Sequence, residues 1–136
     1  RRCRISNDGD GERANAVPAV PDGTPVFDRP GLEARLMGDE SLVTEVVAAF
    51  LADMPDLIER LRAAVTDGEP ATVAHWAHTI KGGAASVGGE RLRAAAAAME
   101  YAAVAGDMGG VTCCINMLEI EFGRLCEIMR QDYVKE

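Results

Sequence analysis

The chain has 136 residues, which is enough for one hydrophobic core. Apolar residues make up 48% of it but aromatic residues only 4%, so the core must be aliphatic and rich in alanine, which suits packed helices better than a β-sandwich. The net charge of −8 argues against nucleic acid as a ligand, because binding its backbone requires clustered lysine and arginine.

Residues 1–26 are predicted to form a flexible linker or tail, because prolines and glycines recur there without sustained periodicity. The helical domain is predicted over residues 27–136. It opens with a short helix that Asp28 caps, with Pro30 in its first turn and Gly38 at its end. The side chains expected to face the core are Leu32, Leu36 and Met37.

The second predicted helix has the strongest 3.6-residue periodicity in the chain. It begins at Asp39 or Ser41 and ends at Asp67-Gly68. Pro55 lies inside it and should bend or split it, since proline lacks the backbone N–H. Its apolar face consists of Val43, Val46, Val47, Phe50, Met54, Leu57, Ile58, Leu61 and Val65.

Three more helices complete the predicted fold. Pro70 opens the third, which ends at Gly88-Gly89; the fourth covers about residues 90–105, and Asp107 caps the fifth. The inward residues are Leu92, Ala95, Ala96, Met99 and Ala103 in the fourth helix, and Val111, Ile115, Leu118, Phe122, Leu125 and Met129 in the fifth. Without any strand-like alternation, the pattern predicts an all-α, antiparallel up-and-down four-helix bundle with a short extra N-terminal helix.

The third helix carries a histidine on its outer face. At about 100° per residue, His78 points roughly 150° away from the middle of the inward stripe. That stripe consists of Val73, Trp76, Ile80, Ala84 and Val87. Mostly small residues surround the histidine, namely Ala71, Ala74, His75, Gly82 and Ala85. We interpret this face as a docking platform with a reactive imidazole at its centre.

Two neighbours of His78 strengthen this interpretation. Lys81, one of two lysines in the chain, follows at i+3 and brings a compact positive charge beside the imidazole, although a solubilising surface lysine would look the same. Gly82, at i+4, costs the helix roughly 1 kcal/mol relative to alanine and leaves room for a partner. Gly83 faces sideways, where it could admit a neighbouring helix.

A carboxylate in the fourth helix is predicted to reach His78. His78 lies about ten residues before the Gly88-Gly89 turn and Glu100 about eleven after it, so equal rise per residue brings both to the same level. Glu100 is therefore the best-placed group to fix the imidazole tautomer and to balance its charge. The alternative is that Glu100 is an ordinary solvated helix residue.

The segment Ala77-His78-Thr79-Ile80-Lys81-Gly82-Gly83-Ala84-Ala85, followed by Val87-Gly88 and Leu92, resembles the signature of histidine-containing phosphotransfer (HPt) domains. The same pattern is matched by Gly38-Asp39, Phe50-Leu51, Met99-Glu100 and Gly106-Asp107. The resemblance covers roughly residues 27–132. It departs at Ile80, Gly83 and Gly89, where the family often has Leu, Ser or Ala, and Ala.

The resemblance implies a phosphoryl carrier in a multistep phosphorelay. His78 would accept a phosphoryl group from a receiver-domain aspartate and pass it to another receiver, and Lys81 would face the phosphoryl charge. His75 is interpreted as a bystander on the docking face. Such domains bind no nucleotide and have no kinase activity, so no cofactor is expected here, and Mg²⁺ belongs to the partner receiver.

Three other functions fit the sequence less well. The domain could be the substrate domain of a chemotaxis-type histidine kinase, although a flexible N-terminal segment favours the C-terminal module of a bacterial hybrid sensor histidine kinase. It could be a metal-binding bundle using His75, His78 and Glu100, which the charge of Lys81 opposes. It could also be a pure interaction domain that no longer transfers phosphoryl groups. The presence of His78, Lys81 and Gly82 together argues against this alternative.

The remaining features indicate the compartment. No signal-peptide pattern opens the chain, and no run approaches the roughly 18 apolar residues of a membrane span. The four cysteines lack the paired spacing of a zinc site and are interpreted as reduced core thiols: Cys3, Cys113, Cys114 and Cys126. We expect a cytoplasmic, monomeric domain that makes no membrane contact itself, although the parent chain may be membrane-anchored.

Overall fold

The computed structural model describes residues 20–21 and 23–134 of the chain. This part contains five helices and no strand, which confirms the predicted all-α fold. The helices are α1 (Arg29–Arg35), α2 (Glu40–Asp67), α3 (Pro70–Val87), α4 (Glu90–Val104) and α5 (Met108–Tyr133). Each long helix packs against two of the others, so that α2, α3, α4 and α5 close around one core.

Aspartate side chains cap three of the helices, as their positions predicted. The carboxylates of Asp28, Asp39 and Asp107 accept hydrogen bonds from backbone N–H groups in the first turns of α1, α2 and α5, at 3.1, 3.1 and 2.9 Å. Gly68 and Gly88 end α2 and α3 in the left-handed conformation, which glycine adopts without steric cost. Local capping chemistry therefore sets most of the helix boundaries.

One expectation for the first half of the chain needs correction. Met37 does not face the core: α1 ends at Arg35, Met37 adopts a φ of 57°, and its side chain is 85% exposed. Of the two outcomes predicted for Pro55, bending or splitting, splitting does not occur, because α2 continues through Pro55 as one helix. Proline is tolerated there because it lies on the exposed side, where water can bond the carbonyl that lacks an N–H partner.

The contact between α3 and α4 is the most extensive in the fold. Its helices bury the methyl groups of Ala77, Ala84, Ala95, Ala96, Ala98, Ala102 and Ala103. Since alanine is the smallest residue with a side chain, the two helix backbones approach closely, and groups near their facing edges come within hydrogen-bonding reach. This hairpin carries the candidate site.

The segment before α1 lies against the bundle. The Asp28 N–H donates to the Gly88 carbonyl oxygen at 2.7 Å, and Arg91 donates to the Thr24 carbonyl oxygen at 3.3 Å. Phe27 packs edge-on against Tyr133, with 6.1 Å between ring centroids. These contacts fix the chain across the turn between α3 and α4.

The cysteines in the described part are mostly buried. Cys114 and Cys126 are buried and Cys113 is half-buried, whereas Cys3 lies outside the described residues. Burial raises the pKa of the Cys126 thiol, which keeps it protonated at neutral pH. None of the described helices combines the length and the hydrophobicity that crossing a membrane would require.

Candidate functional site

His78 projects from the outer face of α3, as the helical spacing predicted. Its side chain is 67% exposed, whereas Ala77 and Ile80 beside it are completely buried. The imidazole is therefore accessible to a partner, and the core below it holds the helix in place.

Glu100 reaches His78 from α4. The Glu100 Oε2 atom lies 3.0 Å from His78 Nδ1, and the carboxylate is largely covered, with 24% of the side chain exposed. The two residues lie at the same level of the α3–α4 hairpin, the arrangement that counting residues from the turn predicted. Glu100 is thus a partner of the imidazole and not a freely solvated residue.

Lys81 binds the other oxygen of the same carboxylate. Its Nζ atom lies 2.8 Å from Glu100 Oε1, and its side chain is 32% exposed. The sequence predicts that the Lys81 ammonium faces a phosphoryl group carried by His78. In the structure this ammonium binds the Glu100 carboxylate. His78, Lys81 and Glu100 therefore form one hydrogen-bonded cluster that bridges two helices.

The charge of Glu100 determines which imidazole nitrogen is free. Burial raises the pKa of Glu100, but the hydrogen bonds from Lys81 and His78 lower it more, so that its pKa lies below that of an ordinary glutamate. An ionised carboxylate can only accept hydrogen bonds, so Nδ1 of His78 must be the donor. In the neutral ring, Nε2 then carries the lone pair, on the edge of the ring away from Glu100.

The surface around His78 is as open as predicted. Ala71, His75 and Gly82 are exposed, and Ala74 and Ala85 are half-buried. A Cβ atom on Gly82 would meet no other atom within 4 Å, whereas one on Gly83 would lie 3.0 Å from Met54 Cε of α2. The first glycine therefore leaves space for a partner, and the second admits the neighbouring helix.

Trp76 differs from its predicted place in the inward stripe. It is only half-buried, at the border of the core. Arg60 of α2 lies over its ring at 5.3 Å from the centroid, and His75 meets it edge-on at 4.7 Å. His75 thus packs against an aromatic neighbour.

The structure contains an apolar groove between α2 and α3 that the sequence analysis does not predict. It has a volume of about 360 Å³ and is lined by, among others, Val46, Phe50, Leu57, Thr79 and Gly83. Val46 and Leu57 belong to the predicted apolar face of α2, but both are only half-buried. The unusual width of the apolar face of α2 was the signal that could have revealed it.

The metal-binding alternative finds no support in the side-chain arrangement. Among the described residues, no group of three His, Cys, Asp or Glu side chains is placed to hold a metal ion. Glu100 shares its oxygens between His78 and the positively charged Lys81, and a cation at the same carboxylate would be repelled by the ammonium.

Comparisons with known proteins agree with this geometry. A family model described as "Hpt domain" matches residues 45–131. The fold is similar to the crystal structure of histidine-containing phosphotransfer protein B (HptB) from Pseudomonas aeruginosa PAO1, with a TM-score of 0.76 and 23% sequence identity. The similarity covers 82% of this chain and 96% of that one. No curated protein matches the sequence.

Proposed function

Because the chain belongs to the Hpt domain family, whose members relay phosphoryl groups with receiver domains of two-component systems, we propose that His78 is its phosphoryl-accepting residue. The domain is a phosphoryl carrier without kinase activity of its own. The observation that carries the assignment to His78 is its exposed ring, whose Nδ1 is bound by Glu100 and whose Nε2 is open to a partner.

The proposed reaction begins with a phosphorylated receiver docked over His78. The Nε2 lone pair attacks the phosphorus of the aspartyl phosphate, an N–P bond forms and the O–P bond breaks, and its electron pair returns to the receiver carboxylate. Nδ1 keeps its proton, and Glu100 balances the positive charge that develops on the ring. Donation to a second receiver reverses these steps.

Such a transfer demands little covalent chemistry from this domain. Phosphoryl transfer is accelerated mainly by positioning and by stabilising the charge on the phosphoryl oxygens. We propose that the receiver supplies Mg²⁺ and that this domain binds no cofactor. Lys81 binds the same carboxylate as His78, and its ammonium would exchange the Glu100 oxygen at 2.8 Å for a phosphoryl oxygen once the ring is phosphorylated.

The surroundings of His78 suit the approach of a folded partner. We propose that a receiver contacts the small residues Ala71, Ala74, His75, Gly82 and Ala85. Since Nδ1 faces α4, the open edge of the ring lies on the other side, and the groove between α2 and α3 offers apolar surface for the partner. Both features favour docking across α3 rather than across α4.

We further propose that the domain acts as a cytoplasmic monomer within a hybrid sensor histidine kinase. Its large exposed apolar side chains lie on several different elements. They include Met37 after α1, Leu42 on α2, Val104 on α4 and Ile120 on α5.

The test is phosphoryl transfer from a phosphorylated receiver to the purified domain, with ATP alone as the control. The chain has two histidines, so His78→Gln and His75→Gln form a matched pair of exposed variants. We expect acid-labile, alkali-stable label that requires the receiver and His78 but not His75. Label in His78→Gln would overturn the assignment, whereas slower labelling of His75→Gln would reflect weaker docking, because His75 lies on the proposed contact surface.

A further inference from the structure

Glu121 is the one charged residue that the described part of the chain buries, with 3% of its surface exposed. Its Oε2 atom accepts a hydrogen bond from Arg91 Nε at 3.0 Å, and Arg124 lies 3.5 Å from the same oxygen. Its Oε1 atom accepts no hydrogen bond from any described residue. Burying a carboxylate with half of its bonding capacity unused is costly, so this ion pair calls for an explanation beyond packing.

Arg91 also holds the chain as it enters the domain. A second nitrogen of its guanidinium donates to the Thr24 carbonyl oxygen at 3.3 Å. We propose that residues 24–28 form an entry strap, anchored by the Arg91–Glu121 pair, which keeps the site histidine reactive by fixing the turn between α3 and α4. This inference rests on the proposed function of His78.

The buried charge keeps Arg91 in this position. If the guanidinium turned towards solvent, Glu121 would remain buried with only the more distant and mostly exposed Arg124 beside it. The planar guanidinium carries donors that point in fixed directions, so one nitrogen binds Glu121 while another binds the strap. The ion pair therefore makes the strap a fixed part of the fold.

The strap and α1 together hold the end of α3. The Asp28 N–H donates to the Gly88 carbonyl oxygen at 2.7 Å, and a Cβ atom on Gly88 would lie 2.8 Å from the Asp28 carbonyl oxygen, so the two backbones are in direct contact. Arg35 of α1 donates to the carbonyl oxygens of Ala85 and Ser86, at 3.4 and 3.3 Å. The last carbonyls of a helix lack regular partners within it, so these bonds fix the α3 side of the turn.

The turn determines how His78 and Glu100 face each other, because both lie about equally far from it along their helices. The alanine methyl groups of the α3–α4 contact form shallow ridges, which resist a small shift along the helix axes less than longer side chains would. Release of the strap would therefore let the two helices shift and would lengthen the 3.0 Å bond between His78 and Glu100. A displacement of the chain that precedes residue 24 would reach the site by the same route.

The test uses the full chain with Arg91→Met and Glu121→Met combined. Methionine roughly keeps the volume of both side chains, and removing the two charges together leaves no buried charge without a partner. Amide hydrogen exchange reports the strap, and phosphorylation by phosphoramidate, a small donor that needs no docking, reports the reactivity of His78. At a temperature where the protein is fully folded, we expect the strap to exchange about tenfold faster and His78 to be labelled about threefold more slowly.

Two further sets of variants separate the strap from general effects on the fold. Arg93→Met combined with Glu90→Met removes another ion pair of α4, at 3.1 Å, and should change neither measurement. Asp28→Pro and Asp28→Ala both lose the carboxylate that caps α1, but only proline also lacks the N–H that binds Gly88. Only Asp28→Pro should therefore slow the labelling.

Wild-type labelling in a variant whose strap exchanges faster would overturn the proposal. Unchanged exchange of the strap in the Arg91→Met, Glu121→Met protein would overturn it as well, since Arg91 would then not be its anchor. Failure of the proposed function is distinguishable, because the wild type itself would then take up no label at His78.

Discussion

Replacing Gly82 should make the domain more stable and less active at the same time. A glycine within a helix costs about 1 kcal/mol relative to alanine, and leucine is almost as favourable as alanine. A Cβ atom at Gly82 would meet nothing within 4 Å, so no clash offsets this gain. Gly82→Ala and Gly82→Leu should therefore unfold at a temperature about 4 °C higher.

The leucine side chain would, however, occupy the space beside His78 that a receiver needs. We expect transfer from a phosphorylated receiver to fall by about tenfold in Gly82→Leu, whereas phosphorylation by phosphoramidate stays at the wild-type rate. Thermal unfolding followed by circular dichroism and transfer kinetics measure the two effects. A lower melting temperature, or unimpaired transfer from the receiver, would refute the idea that Gly82 leaves space for the receiver to reach His78 at the expense of helix stability.

Gly83→Ala is the matched control for the same helix. Its Cβ would lie 3.0 Å from Met54 Cε, so the neighbouring side chain must shift and the stability gain should be smaller. Gly83 lines the groove between α2 and α3, but a single methyl group fills little of that groove, so transfer should fall much less than in Gly82→Leu.

Three further predictions concern the site and its support. His78→Gln should abolish phosphoryl acceptance but leave the melting temperature nearly unchanged, because the side chain is 67% exposed; a large drop would contradict its placement. Gly89→Ala should lower the free energy of unfolding by about 1–3 kcal/mol in urea titrations, since the new Cβ would lie 2.6 Å from Leu125 Cδ2; unchanged stability would show that this leucine yields easily. The stability that Glu100 contributes over Glu100→Gln should be complete above the ordinary glutamate pKa of about 4.3 and disappear as the pH falls through its lowered value, whereas a pH-independent difference would contradict the lowered pKa.

The helix boundaries could be predicted from sequence because they depend on local chemistry. Asp28, Asp39 and Asp107 cap helices through bonds to residues three positions away, and Gly68 and Gly88 supply the left-handed ends. Met37 was misplaced because the periodic pattern continues past the point where the backbone leaves α1. Whether the Met37 side chain is buried depends on the residue at which α1 ends, and a periodic pattern does not specify that residue.

The site was predictable for a similar reason. In a two-helix hairpin with a short turn, residues that are equally far from the turn lie at the same level along the two helix axes. Counting residues from Gly88-Gly89 was therefore enough to pair Glu100 with His78. The ion pair between Lys81 and Glu100 was not predicted. A long flexible side chain such as lysine can reach several groups, and only the folded structure shows which carboxylate lies nearest to its ammonium. The groove between α2 and α3 depends on how closely α2 packs against α3. Tertiary packing determines that distance, and the pattern of apolar residues along α2 does not specify it.

The alanine contact between α3 and α4 makes the site fragile under mutation in a specific way. Most substitutions there add volume, and each added group would push the helices apart by a fraction of an ångström. The bundle can absorb such a shift, but the 3.0 Å bond between His78 and Glu100 has little margin before it ceases to be a hydrogen bond. Variants in this interface should therefore often survive as well-folded proteins that no longer orient their histidine, a class of defect that stability screens would overlook.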